Sequence, residues 1–294
     1  MTSDADFLGL TTDGDPGRYR FTVIDRLARL DGRLYGGTAI AVSIAAAELA
    51  SDRTALWMTT QFVSTVDRGA EVAVHAEVLA AGRRTNQVRV TATSESGETI
   101  FASLGATGHH RADGLTGEFE RCPRVAPPAE AEPWASPFTG LAKAAGLTGT
   151  SFAPRPSGFA NAIEMREPTI LEHPDPGPGR VCLWVRRRDH AAVTPAIAAY
   201  LADIVPMGVA HALGVLAGGT SLDNTIRIGA FVETEWILLD LRPHLAVGGY
   251  GHGIVHVWSE SAQLLATASQ TASMVQFDPA NLPGAPAPEP PVAR

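Results

Sequence analysis

Cysteine is nearly absent from this sequence, which has only Cys122 and Cys182 among 294 residues. Two cysteines provide neither a disulfide framework nor a metal-ligand spacing, and they favour a reducing, cytoplasmic setting. A long basic block is also missing, and the formal net charge is −8. Because neutralising phosphates requires clustered basic side chains, nucleic-acid binding is not predicted as the main task. The first residues, MTSDADFLGL, lack a basic segment followed by an apolar one, so no signal peptide is predicted.

An uninterrupted apolar stretch of membrane-spanning length is missing as well. The run from Ala191 to Gly219 is apolar overall, but Asp203, Pro206 and His211 interrupt it. It therefore predicts a buried helix and no membrane span. The sequence also lacks a G-x-S-x-G segment, which argues against a serine α/β-hydrolase.

Hydrophobic residues make up 45% of the chain, which is enough for a substantial core. In the first half, a loose polar lead-in over residues 1–18 precedes a predicted strand at Tyr19–Ile24 and an alanine-rich helix at Thr38–Ala50. Runs separated by turn residues follow and predict strands. One helix followed by an antiparallel meander predicts an α+β unit whose sheet wraps the helix. The strands predicted after the helix are Leu56–Val66, Glu71–Ala80, Asn86–Thr93 and Thr99–Thr107.

The second half begins after residues 111–157, which are rich in Pro, Gly, Ala and Glu and predict a connector with at most a short helix. A long apolar helix is predicted over Pro195–Leu216. Pro206 should kink or break it, because proline lacks an N–H and clashes with the preceding turn. A Gly-Gly break at 218–219 is predicted before the next strand. The strands predicted here are Phe159–Met165, Val181–Arg187, Thr225–Phe231, Trp236–Leu245, Gly253–Trp258 and Leu264–Val275.

The two halves repeat one another. The segment TAIAVSIAAAELA from Thr38 aligns without a gap with PAIAAYLADIVPM from Pro195, and Ser-Glu-Ser occurs in both halves. The sequence therefore predicts a tandem duplication of one fold unit. Its predicted parts are an N-terminal unit (1–110), a linker (111–157), a C-terminal unit (158–277) and a Pro-rich tail (278–294).

Three polar residues break the symmetry of the repeat. A side chain needed only for folding should occur in both halves, so polar residues confined to one half indicate a single functional site. Asp203 is the strongest candidate, because it is the only charged residue in the apolar run Ile197–Val205 and burying a carboxylate is costly. The alternative is an exposed position on the helix. Asp203, Ser221 and Gln270 fall opposite Ala46, Ala55 and Gly105.

Four short motifs occur in an order that is typical of one family. Tyr-Gly-Gly at Tyr35–Gly37 precedes the first long helix, and Ala-Tyr-Leu-Ala-Asp at Ala199–Asp203 lies in the second. Ser-Leu-Asp-Asn at Ser221–Asn224 and Ala-Ser-Gln-Thr at Ala268–Thr271 follow. In these motifs and their spacing, the chain resembles the type II acyl-CoA thioesterases over nearly its whole length, from about residue 19 to residue 277.

The resemblance implies a double hotdog fold and hydrolysis of acyl-CoA to a free acid and CoA, without a cofactor. In that family an Asp, a Ser or Thr and a Gln hold the water that attacks the thioester carbonyl, and these roles fall on Asp203, Ser221 and Gln270. Gly36 and Gly37 would let the substrate approach backbone N–H groups at a helix start, which stabilise an oxyanion. A homo-oligomer and one competent site per chain are also expected.

The chain departs from the family pattern near these residues. Asn224 stands where the family usually has His, Thr271 where it often has an acid, and Ile226–Gly229 where it is commonly aromatic. These changes bear on substrate choice, and they keep open a non-catalytic acyl-CoA-binding protein on the same scaffold. A hotdog enoyl-CoA hydratase is a further alternative, but its G-D-x-N-P-x-H segment is missing.

Other motifs carry weaker signals. His109–Gly114 contains H-x-x-x-D-G, a pattern of CoA-dependent acyltransferases, but the chain is short for that fold. His252 and His256 lack a partner at metal-ligand spacing, so solvent-facing strand positions are predicted and no metal site. Arg186–Arg188 is interpreted as a solvated strand end, with contact to the phosphates of CoA as the alternative.

Overall fold

Each half of the chain folds as helices packed against an antiparallel sheet. The structure, a computed structural model, describes residues 3–111, 113–134, 158–172 and 179–277. The first half contains α1 (Asp4–Leu8), β1 (Thr11–Thr12), β2 (Arg18–Thr22), α2 (Gly36–Ser51), β3 (Thr54–Phe62), β4 (Glu71–Ala81), β5 (Thr85–Ser94) and β6 (Thr99–Gly108). The second contains β7 (Arg124–Val125), β8 (Glu132–Pro133), β9 (Ile163–Glu167), β10 (Ile170–Glu172), β11 (Val181–Arg187), α3 (Pro195–Ala202), α4 (Val205–Leu213), β12 (Ala217–Ile228), β13 (Ile237–Val247), β14 (Tyr250–Ser259) and β15 (Leu264–Gln276).

One sheet runs through both halves. Within the described residues, thirteen strands pair in the order β1-β2-β4-β5-β6-β3-β12-β15-β14-β13-β11-β9-β8. Every neighbouring pair is antiparallel, and the β3–β12 pair joins the two halves. Strands β7 and β10 form a separate pair. This continuous sheet around the helices confirms the expected α+β, double hotdog architecture.

A pseudo-twofold axis that relates the two halves passes between β3 and β12. Thr59 lies opposite Thr225, and their Oγ1 atoms are 2.6 Å apart. Asn224 faces Thr60 in the same pair, and Ile226 faces the residue that precedes Thr59. The axis passes through the Thr59–Thr225 pair, whose residue numbers differ by 166. Each residue of β3 is therefore equivalent to the β12 residue whose number is 166 higher.

The two halves also share a β-bulge, one extra residue that interrupts the pairing register. In β12, Ser221 pairs with Ala272 while Leu222 is left unpaired. In β3, Ala55 is paired and Leu56 is left out. The two unpaired leucines are equivalent under the axis, so the bulge belongs to the duplicated unit.

Helix α2 is buried on nearly all sides, and eleven of its 16 residues are buried. An apolar helix without a polar face needs partners all round. Its alanines allow close packing against α3 and against β3, β4, β5 and β6. The helix predicted at Thr38–Ala50 is confirmed, and it begins two residues earlier, at Gly36.

The helix predicted over Pro195–Leu216 is broken near Pro206, as predicted, into α3 and α4, and it ends at Leu213. Helix α3 ends at Ala202, and the Ile204 N–H donates to the Ala202 carbonyl at 2.9 Å, which closes a tight turn around Asp203. Asp203 has φ −78° and ψ 49°, which are values of an inverse γ-turn. The prediction that Asp203 is a helical residue is therefore wrong. Pro206 is the second residue of α4, where its missing N–H needs no partner.

The predicted lead-in over residues 1–18 is not loose, which corrects the sequence interpretation. Helix α1 has a capping box formed by Ser3 and Asp6, and Phe7 and Leu8 are buried. The Phe7 ring packs edge-on against Tyr200, with the ring centroids 5.2 Å apart. Helix α1 of the lead-in is therefore part of the core.

Three strands have boundaries that differ clearly from prediction. Gly218 and Gly219 lie inside β12 and do not break the chain, because they pair with Val275 and Met274 of β15. A Cβ on Gly219 would lie 2.8 Å from the Cβ of Pro206, so glycine permits the close approach of α4. The strand predicted at Phe159–Met165 begins at Ile163, after a 3₁₀ turn over Gly158–Asn161. The strand predicted at Leu56–Val66 spans Thr54–Phe62.

The predicted linker is described over residues 113–134, where β8 pairs with β9 and Cys122 and Val125 pack against a core cluster of the second half. The short helix considered after Trp134, and the tail from Asp278, lie outside the described residues. By length and hydropathy alone, Pro195–Leu213 passes as a membrane span, with a mean hydropathy of 1.5, but 67% of that window is buried inside the protein.

Candidate active site

The structure brings Asp203, Ser221 and Gln270 together. Asp203 Oδ1 accepts a hydrogen bond from Gln270 Nε2 at 2.6 Å, and the same nitrogen donates to Ser221 Oγ at 2.6 Å. Asn224 Nδ2 donates a third bond, again to Asp203 Oδ1, at 2.6 Å. The backbone N–H of Gly37 also donates to the carboxylate. A carboxylate from the α3–α4 turn thus meets two strands and the start of α2.

Asp203 is only 5% exposed. Burial disfavours its charged form and raises its pKa to about 7, which is the largest effect on this group. The hydrogen bonds from Asn224 and Gly37, and the charge of Arg29, act in the opposite direction, whereas Asp223 raises the pKa further. The result is a carboxylate that exchanges its proton near neutral pH, as a general base does.

The β-bulge of β12 orients Ser221 towards this carboxylate. Asn224 and Ile226 point to the buried side of the sheet, and strict alternation would put Leu222 there as well. Because the bulge adds one residue, Leu222 is 41% exposed and Ser221 takes the inward position. Ser221 therefore reaches Gln270 only because β12 is irregular at this point.

Gln270 is held at both ends of its amide. Its Oε1 accepts a hydrogen bond from the Val205 N–H at 3.1 Å, and its Nε2 uses both hydrogens on Asp203 and Ser221. Val205 is the first residue of α4, so the break in the helix frees this backbone donor. The Gln270 amide is therefore fixed in one orientation.

Gly36 and Gly37 begin α2 directly beside the carboxylate. A Cβ on Gly36 would lie 2.5 Å from Asp203 Oδ2, and a Cβ on Gly37 would lie 2.4 Å from the Tyr200 carbonyl oxygen. The Tyr35 hydroxyl donates to the Asp203 carbonyl at 3.2 Å. Only glycines allow the helix start to approach this closely, which is the reason for the Gly-Gly pair.

A cavity of about 1330 Å³ opens next to Gly36, Asp203 and Ser221. Its walls are mostly apolar, and Arg188 lies among the few charged residues that line it. A volume of this size suits a ligand with a long apolar portion. The large apolar residues that line it include Leu34, Phe62, Phe101, Trp134, Phe159, Met165, Met207, Leu216 and Phe277.

The equivalent position in the first half is occupied by apolar side chains. Gln270 of β15 pairs with Asn224, and Gly105 of β6 pairs with Met58, so the pairing registers agree with the alignment of Gln270 with Gly105. A Cβ on Gly105 would lie 2.8 Å from Met58 Sδ, so the methionine fills the space that Gln270 takes in the second half. The first half therefore has no side-chain amide here.

The other candidate residues lie elsewhere. His109 and His110 are exposed at the end of β6. His256 is buried, which corrects its predicted solvent-facing position, and burial lowers its pKa. Of the arginine run, Arg186 pairs with Glu164, and Arg187 is buried against Phe7, so a wholly solvated strand end is wrong. The described residues contain no cluster of three or more His, Cys, Asp or Glu suited to a metal ion.

Sequence reasoning did not give Asn224 or Tyr35 a place around the carboxylate. Asn224 was interpreted only as a departure from a family histidine, yet it contacts Asp203 directly. The contact depends on the pairing of β12 with β15, which places Asn224 opposite Gln270, and the sequence alone gives no signal for it. The Tyr35 contact depends on the turn at Asp203, which a continuous helix would not form.

Comparisons with known proteins relate the chain to one group. Models for the acyl-CoA thioesterase N-terminal and C-terminal domains match residues 23–108 and 120–274. A structure from Novosphingobium aromaticivorans, described provisionally as a thioesterase, is 29% identical, with a TM-score of 0.75 over 90% of this chain and 97% of that one. An acyl-CoA thioesterase II from Mycobacterium marinum is 19% identical, with a TM-score of 0.69 over 94% and 99% of the two chains.

A protein of unknown function with a hot dog fold, from Alicyclobacillus acidocaldarius, is also similar in structure. It is 20% identical, with a TM-score of 0.74 over 94% of this chain and 98% of that one. At this identity the likeness concerns the fold. No curated protein sequence matches the chain.

Proposed function

The chain belongs to the acyl-CoA thioesterase family, and we propose that it hydrolyses acyl-CoA to a free acid and CoA at the site of Asp203, Ser221 and Gln270. The observation that carries the proposal is the buried Asp203 carboxylate beside a large apolar cavity, with its pKa raised to about 7. A base with a pKa near the working pH is well suited to taking a proton from water.

In the proposed reaction, a water between Asp203 and Ser221 attacks the thioester carbonyl carbon and gives its proton to Asp203. The oxyanion that forms accepts a hydrogen bond from the Gly36 N–H at the start of α2, since the Gly37 N–H already donates to Asp203. The absence of a Cβ on Gly36 leaves room for the substrate. The tetrahedral intermediate then collapses, the carbon–sulfur bond breaks, and the CoA sulfur takes the proton back from Asp203. The base is regenerated and no cofactor is consumed.

Gln270 contributes to this reaction by alignment. Both of its amide hydrogens are already engaged, one on Asp203 and one on Ser221. It therefore fixes the distance between the base and the hydroxyl that hold the water. Ser221 accepts from Gln270, so its own hydrogen remains available for the water or the substrate.

The acyl chain occupies the apolar cavity in this proposal, and the CoA part extends to its charged rim. Arg188 lines the cavity, and among the described residues it forms no ion pair, in contrast to Arg186. It is the member of the arginine run that is suited to contact a phosphate of CoA. We also expect a cytoplasmic homo-oligomer with one such site per chain. Light scattering of the purified protein would measure its oligomeric state.

The direct test is thiol release from a series of acyl-CoA substrates of increasing chain length, comparing the wild type with Asp203→Asn. Loss of a general base typically costs about 10²- to 10⁴-fold, so kcat should fall by that factor with a smaller change in KM. Glu48→Gln is a matched control. Glu48 is also a carboxylate with a pKa raised to about 7, but it accepts a hydrogen bond from the Ala55 N–H and does not line the cavity.

The control should keep the wild-type kcat. Wild-type kcat in Asp203→Asn would reject the assignment of the base. Tight acyl-CoA binding without thiol release by the wild type would instead favour the non-catalytic binding protein. Release of thiol only in the presence of an added acceptor would indicate an acyltransferase.

A further inference from the structure

The side-chain amide of Asn224 is buried in the sheet and contacts the Asp203 carboxylate. It is 1% exposed, and it lies between Gln270 on β15 and Thr60 on β3. Its Nδ2 donates to Asp203 Oδ1 at 2.6 Å, whereas its Oδ1 is buried without a hydrogen-bond partner among the described residues. The opposite amide orientation would place two acceptor oxygens against each other, so the nitrogen must face the carboxylate.

We propose that Asn224 is a positioning residue for the hydrolysis, and that together with Gln270 it occupies Oδ1 of Asp203 so that Oδ2 takes the proton of the water. The two amide nitrogens lie 2.6 Å from the same oxygen. The other oxygen, Oδ2, faces Gly36, which lines the cavity. This inference rests on the proposed function and specifies which carboxylate oxygen acts.

The chemistry of the amide explains why it suits this place. An amide donates a hydrogen bond at every pH, but it carries no charge and accepts no proton from the carboxylate. A histidine, which the family pattern leads one to expect, titrates near pH 6.5 and can become a cation beside the base. With Asn224, the proton affinity of Asp203 is set by burial and by hydrogen bonds.

Few other charges act on the carboxylate. Arg29 lowers the pKa of Asp203 and Asp223 of β12 raises it. Tyr35, from the segment before α2, stays neutral because burial and the nearby Asp203 raise the pKa of its hydroxyl well above the usual value. Removing one neutral donor should therefore be visible in the titration of Asp203.

The first half shows what this position requires for folding alone. Met58 occupies the position equivalent to Asn224, and it is fully buried. An apolar side chain is thus compatible with the sheet here. Asn224 instead leaves a buried acceptor unpaired, which is unfavourable for stability. Such a cost is expected at a functional position and not at one selected for packing.

The test is Asn224→Leu, which keeps the shape of the side chain and removes both polar atoms. In the pH dependence of kcat/KM, the acid limb should move up by about one unit, because the charged form of Asp203 loses a donor. At pH 7, a limb that moves from about 7 to about 8 should lower activity about fivefold, and the Tm should stay the same or rise. Met58→Leu, at the equivalent position of β3, should leave the limb in place.

Asn224→Asp is the second variant, and it retains the size and polarity of the site if the leucine variant does not fold. A carboxylate next to Asp203 disfavours the second negative charge, so the acid limb should move further up than in Asn224→Leu. An acid limb that stays in place in the variants that fold would overturn the proposal. So would a lower Tm with an unchanged limb, since that is the result of a structural role.

A readout without activity separates this inference from the proposed function. The Asp203 carboxyl carbon is followed by NMR in protein labelled with ¹³C at aspartate, with Asp203→Asn identifying the signal. If the wild type hydrolyses no acyl-CoA, the proposed function fails, but the titration midpoint of Asp203 still has to rise in Asn224→Leu. An unchanged midpoint would overturn the role of Asn224.

Discussion

The two halves of the molecule place polar groups at the same level of one sheet and use them differently. In the first half, the Ser43 hydroxyl donates to the Ala39 carbonyl at 2.8 Å, Ser103 lies 2.8 Å from Ser43, and Thr60 lies 2.8 Å from Ser103. Each hydroxyl forms a hydrogen bond with the next, and the series ends at the backbone carbonyl of Ala39. In the second half, two amides converge on Asp203.

Under the proposed function, the difference is the one between a structural polar cluster and a site. A buried cluster whose members satisfy one another rigidifies the core and leaves nothing for a ligand. The second half concentrates its donors on one charged group, and one oxygen of that group faces a cavity. Burial alone does not make the distinction, because Thr60, Ser103 and Gln270 are all almost fully buried.

Apart from changes to Asp203 itself, the largest effect is expected from Gly36→Ala, which tests whether the start of α2 in the first half must stay free of a side chain. The added Cβ would lie 2.5 Å from Asp203 Oδ2 and 3.2 Å from the Phe62 ring, so the carboxylate must shift. A displacement of about 1 Å at a reacting group costs roughly 100-fold, and kcat/KM should fall by that factor.

Gly208→Ala is the control for this change. Gly208 lies in α4, where a Cβ would make an ordinary contact of 3.5 Å with Leu241. The variant should keep full activity and gain up to about 1 kcal/mol in the free energy of unfolding. Equal activity of the two alanine variants would mean that the close approach of Gly36 to Asp203 is not needed for the reaction.

A smaller effect is expected from substituting, one at a time, two residues at equivalent positions of the two halves. Gln270→Leu removes the amide that aligns Asp203 with Ser221, so kcat should fall by about tenfold or more. Gly105→Ala, at the equivalent position, places a Cβ 2.5 Å from the Trp57 carbonyl oxygen and should instead cost about 1–3 kcal/mol of stability.

Measured kcat values and urea unfolding curves would separate the two variants. The expected pattern is an activity defect in the first variant and a stability defect in the second. Loss of kcat in folded Gly105→Ala would show that the first half carries chemistry, and the contrast between the halves would not hold.

The smallest effect concerns stability as a function of pH. The folded-state pKa of Asp203 is raised to about 7 from an ordinary value of 3.8, so the unfolded chain releases this proton first as pH rises. The free energy of unfolding should therefore fall across that window, and the loss is complete above it. Glu48, with its pKa also raised to about 7, should contribute in the same direction.

Urea unfolding at about pH 4 and about pH 8 measures this dependence. In Asp203→Asn and in Glu48→Gln, the decrease between the two pH values should each be smaller by roughly 1–3 kcal/mol. The two acids would then behave alike in stability and differ only in catalysis. An unchanged decrease in Asp203→Asn would show that Asp203 titrates normally in the folded chain.

Much of this arrangement could be predicted from the sequence because it is periodic or duplicated. The helix at Thr38–Ala50 and the tandem unit follow from patterns that local chemistry fixes. The alignment of Ser221 with Ala55 survives in the structure because both precede the unpaired residue of the same bulge. Such features depend on neighbours in sequence or on a copy of the same unit.

What could not be predicted depends on contacts between distant segments. The turn at Asp203 and the donor from Val205 exist because α4 starts anew at that point, and a proline alone does not specify where the chain turns. The packing of Phe7 on Tyr200 joins residues far apart in the sequence. Asn224 acquires its role only when β12 and the α3–α4 turn meet.

The site draws on both halves of the chain, and this has a consequence for synthesis on the ribosome. The start of α2 at Gly36 and Gly37 is made early, whereas the strand that carries Gln270 is nearly the last described segment to emerge. A nascent or truncated chain that ends before β15 has neither the amide that contacts Asp203 nor one of the two strands with which β12 pairs. Under the proposed function, chains that lack β15 are therefore inactive towards the acyl-CoA pool around them, and hydrolysis begins only once β15 has joined the sheet.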